Sequence, residues 1–333
     1  LDGDAVDQVI WADKAAYLCS ADYRRELWVR LRKQGFSTVI APSRTRPLML
    51  DDASLLAAAP THAIASPNTH VHAAWNAVSD ALYDELVPTL DEHAHEFHFN
   101  GEFAARCCGR RFGGSRPYIR PMPGHVDSPP YILCFVGANT RSKRWPWWRW
   151  TEFLRIDAGG LQQSAVLAGH GRSESDLARR VAERTNVRSI VGATSLTEVL
   201  RWIGGASAVI SNDTMAAHLG VSANRPTVIV ANGVNHLRFT EYGRARIGNV
   251  VSVYPPVFER WRDRRGLRNY DYTQAVSADI AAIRADRVHR ALDDLLHSGH
   301  RWAACEAPAP QQAFGRDLRA RPNASSLRSM HLP

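Results

Sequence analysis

Two polar turns carry the residues best suited to chemistry. The first, Ser211-Asn212-Asp213-Thr214-Met215-Ala216-Ala217-His218-Leu219, follows the apolar run Ala208-Val209-Ile210 and opens a predicted helix. A strand, a tight polar turn and a helix start leave free backbone N–H groups and a positive dipole end above the sheet edge, where phosphate is the usual guest. The second, Gly137-Ala138-Asn139-Thr140-Arg141-Ser142-Lys143-Arg144-Trp145-Pro146, follows the apolar run Tyr131–Val136. Two such turns in one βα-repeating region point to a nucleotide or nucleotide-sugar site.

Each residue has a functional and a structural reading. Lys143 can neutralise a diphosphate as a point charge, or it is a solvated turn lysine that contributes little to stability. Asn139 and Thr140 are short polar groups that can reach a phosphate, and Gly137 lets the backbone come close. Asp213 can bind a sugar hydroxyl or order the turn, or it is simply a helix N-cap; Thr214 can share either task. His218 lies more than one turn into the helix, where a lone histidine is commonly structural. The strand-end loop Gly233–Gly243 offers His236 and Arg238 to an anion, or is a surface loop. Glu174, with Asp176, follows Gly169-His170-Gly171 and can accept a ribose hydroxyl, or it belongs to an acidic first helical turn. The tryptophans at 145, 147, 148 and 150 read as core or interface packing rather than ligand stacking.

Strand–helix alternation must position these groups. Ahead of residue 112 the pattern predicts helices over 21–34, 51–59, 71–87 and 91–108 and strands over 37–41 and 62–66. The Gly-, Pro- and Arg-rich stretch around 113–130 reads as a linker. Beyond it, strands are predicted at 131–136, 164–168, 187–191, 207–210 and 226–231, with helices at 147–156, 174–185, 195–204, 213–221 and 277–297. This is the pattern of a parallel, doubly wound sheet. The organisation is a first domain over 1–112, a linker over 113–130, a second domain over 131–300, and a Pro-, Ala-, Arg- and Ser-rich tail over 301–333 that reads as disordered. A ligand of such sheets lies beyond the carboxyl ends of the strands. Both turns sit at those ends, so the donor belongs to the second domain and the acceptor approaches from the first.

Bulk composition narrows the class. The 333 residues suffice for two cored domains, and 45% hydrophobic with 22% charged residues is a globular composition. No apolar run approaches the length of a membrane span, and no leader is legible at the start, which opens on Leu1. The net charge of +8 is largely arginine, either a solvated surface or an affinity for phosphates, acidic glycans or an anionic membrane. No nucleic-acid motif accompanies it. Five cysteines in irregular spacing, with no C-x-x-C, argue against a disulfide framework or a zinc site and for reduced thiols in a cytoplasmic protein. Cys134 falls in an apolar strand and reads as core.

Taken in order, G-A-N-T-R-S-K-R-W-P at 137–146, L-A-G-H-G at 167–171, V-G-A-T-S-L-T-E-V-L at 191–200 and S-N-D-T-M-A-A-H-L at 211–219 resemble family 9 glycosyltransferases. These include the ADP-heptose:lipopolysaccharide heptosyltransferases. The loop G-V-N-H-L-R-F-T-E-Y is similar to a subgroup of less defined sugar specificity, and the resemblance runs from about residue 10 to 300. It implies an α/β GT-B fold of two Rossmann-like domains facing a cleft. It implies metal-independent, inverting transfer of a sugar from a nucleotide diphosphate sugar, of ADP type, to a glycan or glycolipid acceptor, with no cofactor. Lys143 and Asp213 match the family's phosphate-binding lysine and Asp-Thr-Gly turn. The resemblance then gives Lys143 and the helix start Thr214–Met215–Ala216 the stabilisation of the departing diphosphate, and it brings His218 to the same pocket. The basic surface would suit the cytoplasmic face of an anionic membrane.

Two departures bear on activity. Met215 stands where the family keeps glycine, and its side chain is expected to crowd a phosphate. The family's first strand and Gly-rich loop, the source of the acceptor-side base, have no counterpart before Asp13, so a first βα unit is expected to be missing and activity to be reduced. A catalytically impaired nucleotide-sugar-binding or scaffolding protein, and a basic nucleic-acid binder, are the competing readings.

Overall fold

A computed structural model describes residues 7–46, 50–69, 73–88, 95–114, 116–119, 122, 130–156, 165–242, 247–265 and 277–297. Most of the expected linker and the whole expected tail lie outside the described residues.

The first half carries helices α1 (Lys14–Cys19) and α2 (Ala21–Lys33), strand β1 (Thr38–Ala41), α3 (Leu50–Ala58), β2 (His62–Ala65), α4 (Ala73–Asp80), β3 (Glu85–Leu86) and α5 (Glu96–Cys107). Ser20 caps α2 by accepting from the Tyr23 N–H, as its residue type and position suggest. The strands form one parallel sheet in the order β1-β2-β3. The helix expected over 71–87 is corrected: α4 stops at Asp80 and the chain returns to the sheet as β3. The competing force is tertiary. The Asp80 carboxylate accepts from Asn68 N and from Arg46, and Asp84 is paired through its backbone and carboxylate to Ala63. Continuing the helix would strand these groups.

Arg46 fixes the loop that follows β1. It is completely buried and donates to Ser79 Oγ, the carbonyls of Ser43 and Ser66, and Asp80, with Asp52 3.5 Å away. A buried guanidinium persists only when paired and hydrogen-bonded in this way. The result is a rigid turn that presents the neighbouring Arg44.

The second half holds β4 (Ile132–Phe135), α6 (Trp147–Arg155), β5 (Ala165–Ala168), α7 (Arg172–Thr185), β6 (Arg188–Ser189), α8 (Leu196–Gly205), β7 (Ala208–Asn212), α9 (Met215–Ser222), β8 (Thr227–Val230), β9 (Val250–Val253), α10 (Pro256–Arg265) and α11 (Ala285–His297). All six strands are parallel, in the order β6-β5-β4-β7-β8-β9. Alternate residues of β4 feed cores on both faces. Ile132 and Cys134 join Trp145, Trp150 and Phe153 on one side; Tyr131, Leu133 and Phe135 join Trp202 and Ile203 on the other. Cys134 is fully buried, and burial pushes its thiol up to about 12. The single helix expected over 277–297 is a 3₁₀ turn at Ile280–Ala282 followed by α11. Strand β9 and helix α10 are additions to the sequence reading; α10 begins on Pro256, a residue suited to the first helical position.

Candidate active site at the switch point

The order β6-β5-β4-β7-β8-β9 reverses direction between β4 and β7. Connections from β4 run outward one way and those from β7 the other, which opens a crevice above their carboxyl ends. The Lys143 turn leaves β4 and the Asp213 turn leaves β7, so the two flank that crevice.

Two buried asparagines hold the Lys143 turn in place. Asn212, at the end of β7, donates to the carbonyls of Val136 (3.0 Å) and Gly137 (2.9 Å) and accepts from Trp145 N (3.0 Å). It therefore clamps both ends of the 137–145 turn. Asn232, just beyond β8, donates to Ser142 O (3.1 Å) in the middle of it. Trp145 pins the turn from below, its indole N–H donating to Ile283 O at 2.9 Å. Neither asparagine is a sequence-predicted site residue. Their only sequence signal is an amide at the end of an otherwise apolar strand.

Lys143 ends a 3₁₀ turn at Arg141–Lys143, and its Nζ lies 2.8 Å from Asp213 Oδ2. Its side chain is 16% exposed and that of Asp213 4%. The alternative of a solvated turn lysine does not hold: Lys143 is the charged partner of a buried carboxylate. Asn235 completes the set by donating to the same Oδ2 at 2.7 Å. Asp213 is not the helix cap; Thr214 is, with extended backbone and no capping bond from its side chain. Its hydroxyl instead meets Ser211 Oγ at 3.1 Å. The opening N–H groups of α9, those of Met215 and Ala216 among them, have no side-chain cap, as an anion site at a helix start requires. Met215 is 62% exposed.

The remaining predicted residues divide. Glu174 sits over the ends of β4 and β5: its carboxylate accepts from His170 N at 2.8 Å and occupies the space a side chain at Gly137 or Gly169 would need. Asn139 and Thr140 are exposed, the Thr140 hydroxyl donating to Asn139 Oδ1 at 3.2 Å. His218 meets the Tyr242 hydroxyl through Nδ1, and burial lowers its pKa, with the Lys143 charge adding to that effect and Asp213 opposing it. His236 and Arg238 are not gathered at the crevice. His236 is 1% exposed, bonded through Nδ1 to Tyr254 OH (3.0 Å) and edge-on to Tyr254 and Phe258. Burial pushes it down to about 4. Arg238 turns towards the first half and donates to Glu96 Oε2 at 2.9 Å, which Arg44 also reaches at 3.1 Å. Beside that pair His95 accepts from Phe97 N, meets Phe239 O at 3.0 Å, and lies against Tyr242 with 4.1 Å between ring centroids. Among the described residues no helix is long and apolar enough to cross a membrane.

The family model of glycosyltransferase family 9 (heptosyltransferase) matches residues 51–255, a span that includes both turns and the 233–242 loop. The chain belongs to this family. Lipopolysaccharide heptosyltransferase 1 of Salmonella typhimurium is 33% identical over 102 residues, which are 30% of this chain and 32% of that protein. The aligned part is thus about a third of that relative's length. Among solved structures, the chain is similar to the E. coli heptosyltransferase WaaC with ADP (TM-score 0.62, 17% identity, 88% of this chain and 85% of the other). It is similar to a family 9 glycosyl transferase from Veillonella parvula (TM-score 0.61, 17% identity, 86% and 81%). It is also similar to the E. coli ADP-heptose lps heptosyltransferase II (TM-score 0.54, 18% identity, 82% and 80%). Its two parallel sheets are those of a GT-B fold.

Proposed function

We propose that this family 9 member transfers a sugar, heptose or a close relative, from an ADP-type nucleotide diphosphate sugar to a lipopolysaccharide-type acceptor, with inversion and without a metal. The observation that carries the reading is the Lys143–Asp213–Asn235 set beside the uncapped start of α9 at the switch point. The names of similar proteins support the donor: one is a heptosyltransferase with ADP and another the same enzyme with ADP-2-deoxy-2-fluoro heptose. The acceptor class follows the lipopolysaccharide heptosyltransferase relative.

The chemistry follows from charge. An acceptor hydroxyl gives its proton to a base on the acceptor side as its oxygen attacks the anomeric carbon opposite the diphosphate, the bond from that carbon to the diphosphate oxygen breaks, and negative charge builds on the leaving phosphate. Lys143 and the N–H groups of Met215 and Ala216 are fixed donors for that charge. Fixed donors need no reorganisation as the barrier is crossed. Asp213 holds the ammonium in place and leaves its other two N–H bonds to the phosphate. Gly137, Asn139, Thr140 and Glu174 bound the same crevice and are assigned to the rest of the donor. Thr214 and His218 are assigned to the donor side of α9. The +8 charge suits an anionic membrane bearing the acceptor lipid. Met215 favours a second reading, donor binding with little turnover, because it stands exposed at the helix start where a phosphate would approach.

Thermal shift with ADP, UDP, GDP and their sugars tests the assignment, since a ligand that binds only the folded state raises its apparent stability. ADP or an ADP-sugar is expected to raise Tm in the parent and not in Lys143→Ala. No shift with any nucleotide diphosphate overturns the reading. Transfer to a lipopolysaccharide acceptor separates an active enzyme from a donor-binding protein.

A further inference from the structure

Tyr242 closes the G-V-N-H-L-R-F-T-E-Y motif and has no role of its own in the sequence reading, yet it touches both halves of the molecule. It is 7% exposed. Its hydroxyl meets His218 Nδ1, and its ring lies on His95 of the first half with 4.1 Å between centroids. His95 is itself locked. Its Nδ1 accepts from Phe97 N at 3.2 Å, so Nε2 carries the proton and donates to Phe239 O at 3.0 Å. The platform under Tyr242 is therefore a neutral ring of fixed orientation.

The direction of the Tyr242–His218 bond follows from counting protons. A buried hydroxyl keeps its proton and needs an acceptor for it. If Nδ1 of His218 carried the hydrogen and donated to the phenol, the phenol's own proton would have no acceptor among the described residues. Leaving a buried donor unpaired is unfavourable. If the phenol donates to Nδ1, the buried hydroxyl is satisfied and the imidazole hydrogen sits on Nε2 of a side chain that is only partly buried.

We propose that Tyr242 is the positioning residue of His218: it donates to Nδ1 and holds the imidazole as the Nε2–H tautomer, a neutral hydrogen-bond donor on the first turns of α9. His218 is near enough to Asp213 and Lys143 for both charges to act on it, and burial keeps it uncharged. A neutral N–H in that place can grip a donor-substrate oxygen without competing with Lys143 for Asp213. The catalytic consequence rests on the glycosyltransferase reading above; the tautomer does not.

The test uses the full chain and two readouts. Long-range ¹⁵N–¹H spectra of the imidazoles report the tautomer without any turnover. The parent is expected to show His218 protonated on Nε2, and Tyr242→Phe, which keeps the ring on His95, to lose that single tautomer. A parent His218 protonated on Nδ1, or a pattern unchanged in Tyr242→Phe, overturns the proposal whatever the enzyme does. In transfer assays Tyr242→Phe is expected to lower kcat on the order of tenfold, with the donor KM little changed. In a His218→Gln background, whose amide nitrogen has no tautomer to set, the Tyr242→Phe change is expected to lose its effect. An equal loss of kcat in both backgrounds would mean that Tyr242 acts only on packing. Absence of transfer in the parent refutes the activity and leaves the spectral result to decide the positioning role.

Discussion

Lys143→Ala removes one member of a three-group set, and the structure allows its cost to be worked out. The lysine ammonium is 2.8 Å from a carboxylate on a side chain only 4% exposed, and the lysine side chain is itself 16% exposed. Breaking a fully buried pair leaves an uncompensated charge and costs roughly 3–5 kcal/mol. Two features reduce that figure here. Asn235 still donates to Asp213 at 2.7 Å, and the positive end of α9 lies beside the carboxylate, an effect of about 0.3–1 kcal/mol. We therefore expect a loss of about 2 kcal/mol. At about 2–4 °C per kcal/mol for a unit the size of the second half, Tm of that half falls by about 4–8 °C. The double variant Lys143→Ala/Asp213→Asn removes both charges and is expected to recover at least half of the loss, the signature of a direct pair in a double-mutant cycle. ADP binding should fall further, since a charged contact to a buried phosphate is worth about 1.5–3 kcal/mol, or roughly 10- to 150-fold in Kd. Calorimetry of unfolding and titration with ADP measure the two effects separately. An unchanged Tm in Lys143→Ala would refute the pair. An ADP affinity unchanged from a parent that binds ADP would refute the phosphate role.

Three further outcomes follow from the same geometry. Gly137→Ala forces the Glu174 carboxylate off its perch and off His170 N; it should cost about 1 kcal/mol and add nothing to Glu174→Ala, as a melting-temperature cycle would reveal. Met215→Gly costs less than about 1 kcal/mol at a first helical turn and is expected to tighten ADP binding; equal or weaker binding by isothermal titration shows that the methionine is accommodated. His95 is held down to about 4 by burial, against 6.5 in an open chain. The unfolded chain therefore takes up the proton first, and stability is lost as pH falls from about 6.5 towards 4. His95→Asn keeps a residue suited to capping α5 and should flatten that slope by about 1.4 kcal/mol per pH unit, read from urea midpoints across the window; an unaltered slope assigns the loss to other groups.

The parts of the site that follow directly from a strand were legible in the sequence. Lys143 and Asp213 each stand a fixed few residues beyond an apolar run, and parallel topology alone delivers strand ends to one crevice. What was not legible is partner choice. Asp213 has the residue type of an N-cap, yet its carboxylate turns to Lys143 and Asn235 while Thr214 takes the cap. His236 reads as a loop histidine able to meet an anion. Gly233, with φ at 98°, lets the chain double back so that His236 packs on Tyr254 and Phe258. Those two aromatics arrive from around β9 and α10, elements with no legible periodicity of their own. Arg46 and Asp80 likewise look like surface charges 34 positions apart until the sheet folds one against the other. Such pairings are set by chain crossings, which neither spacing nor helical period encodes.

The loop at 233–242 does more structural work than either polar turn that first drew attention. Asn235 braces Asp213, His236 anchors the loop in the core, Arg238 and Phe239 meet the start of α5, and Tyr242 spans His218 and His95. Asp213, His218 and the first half are therefore all in contact with one short segment. Its attachment to α5 is mostly polar: one carboxylate shared between Arg44 and Arg238, a backbone bond from Glu96 N to Arg238 O, and a side-chain bond from His95 Nε2 to Phe239 O. Polar contacts of this kind stay specific in direction yet give way to water more readily than an apolar seam. An attachment that is directional rather than apolar fixes one geometry between the halves. Through Asn235 and Tyr242, that geometry is passed to Asp213 and His218.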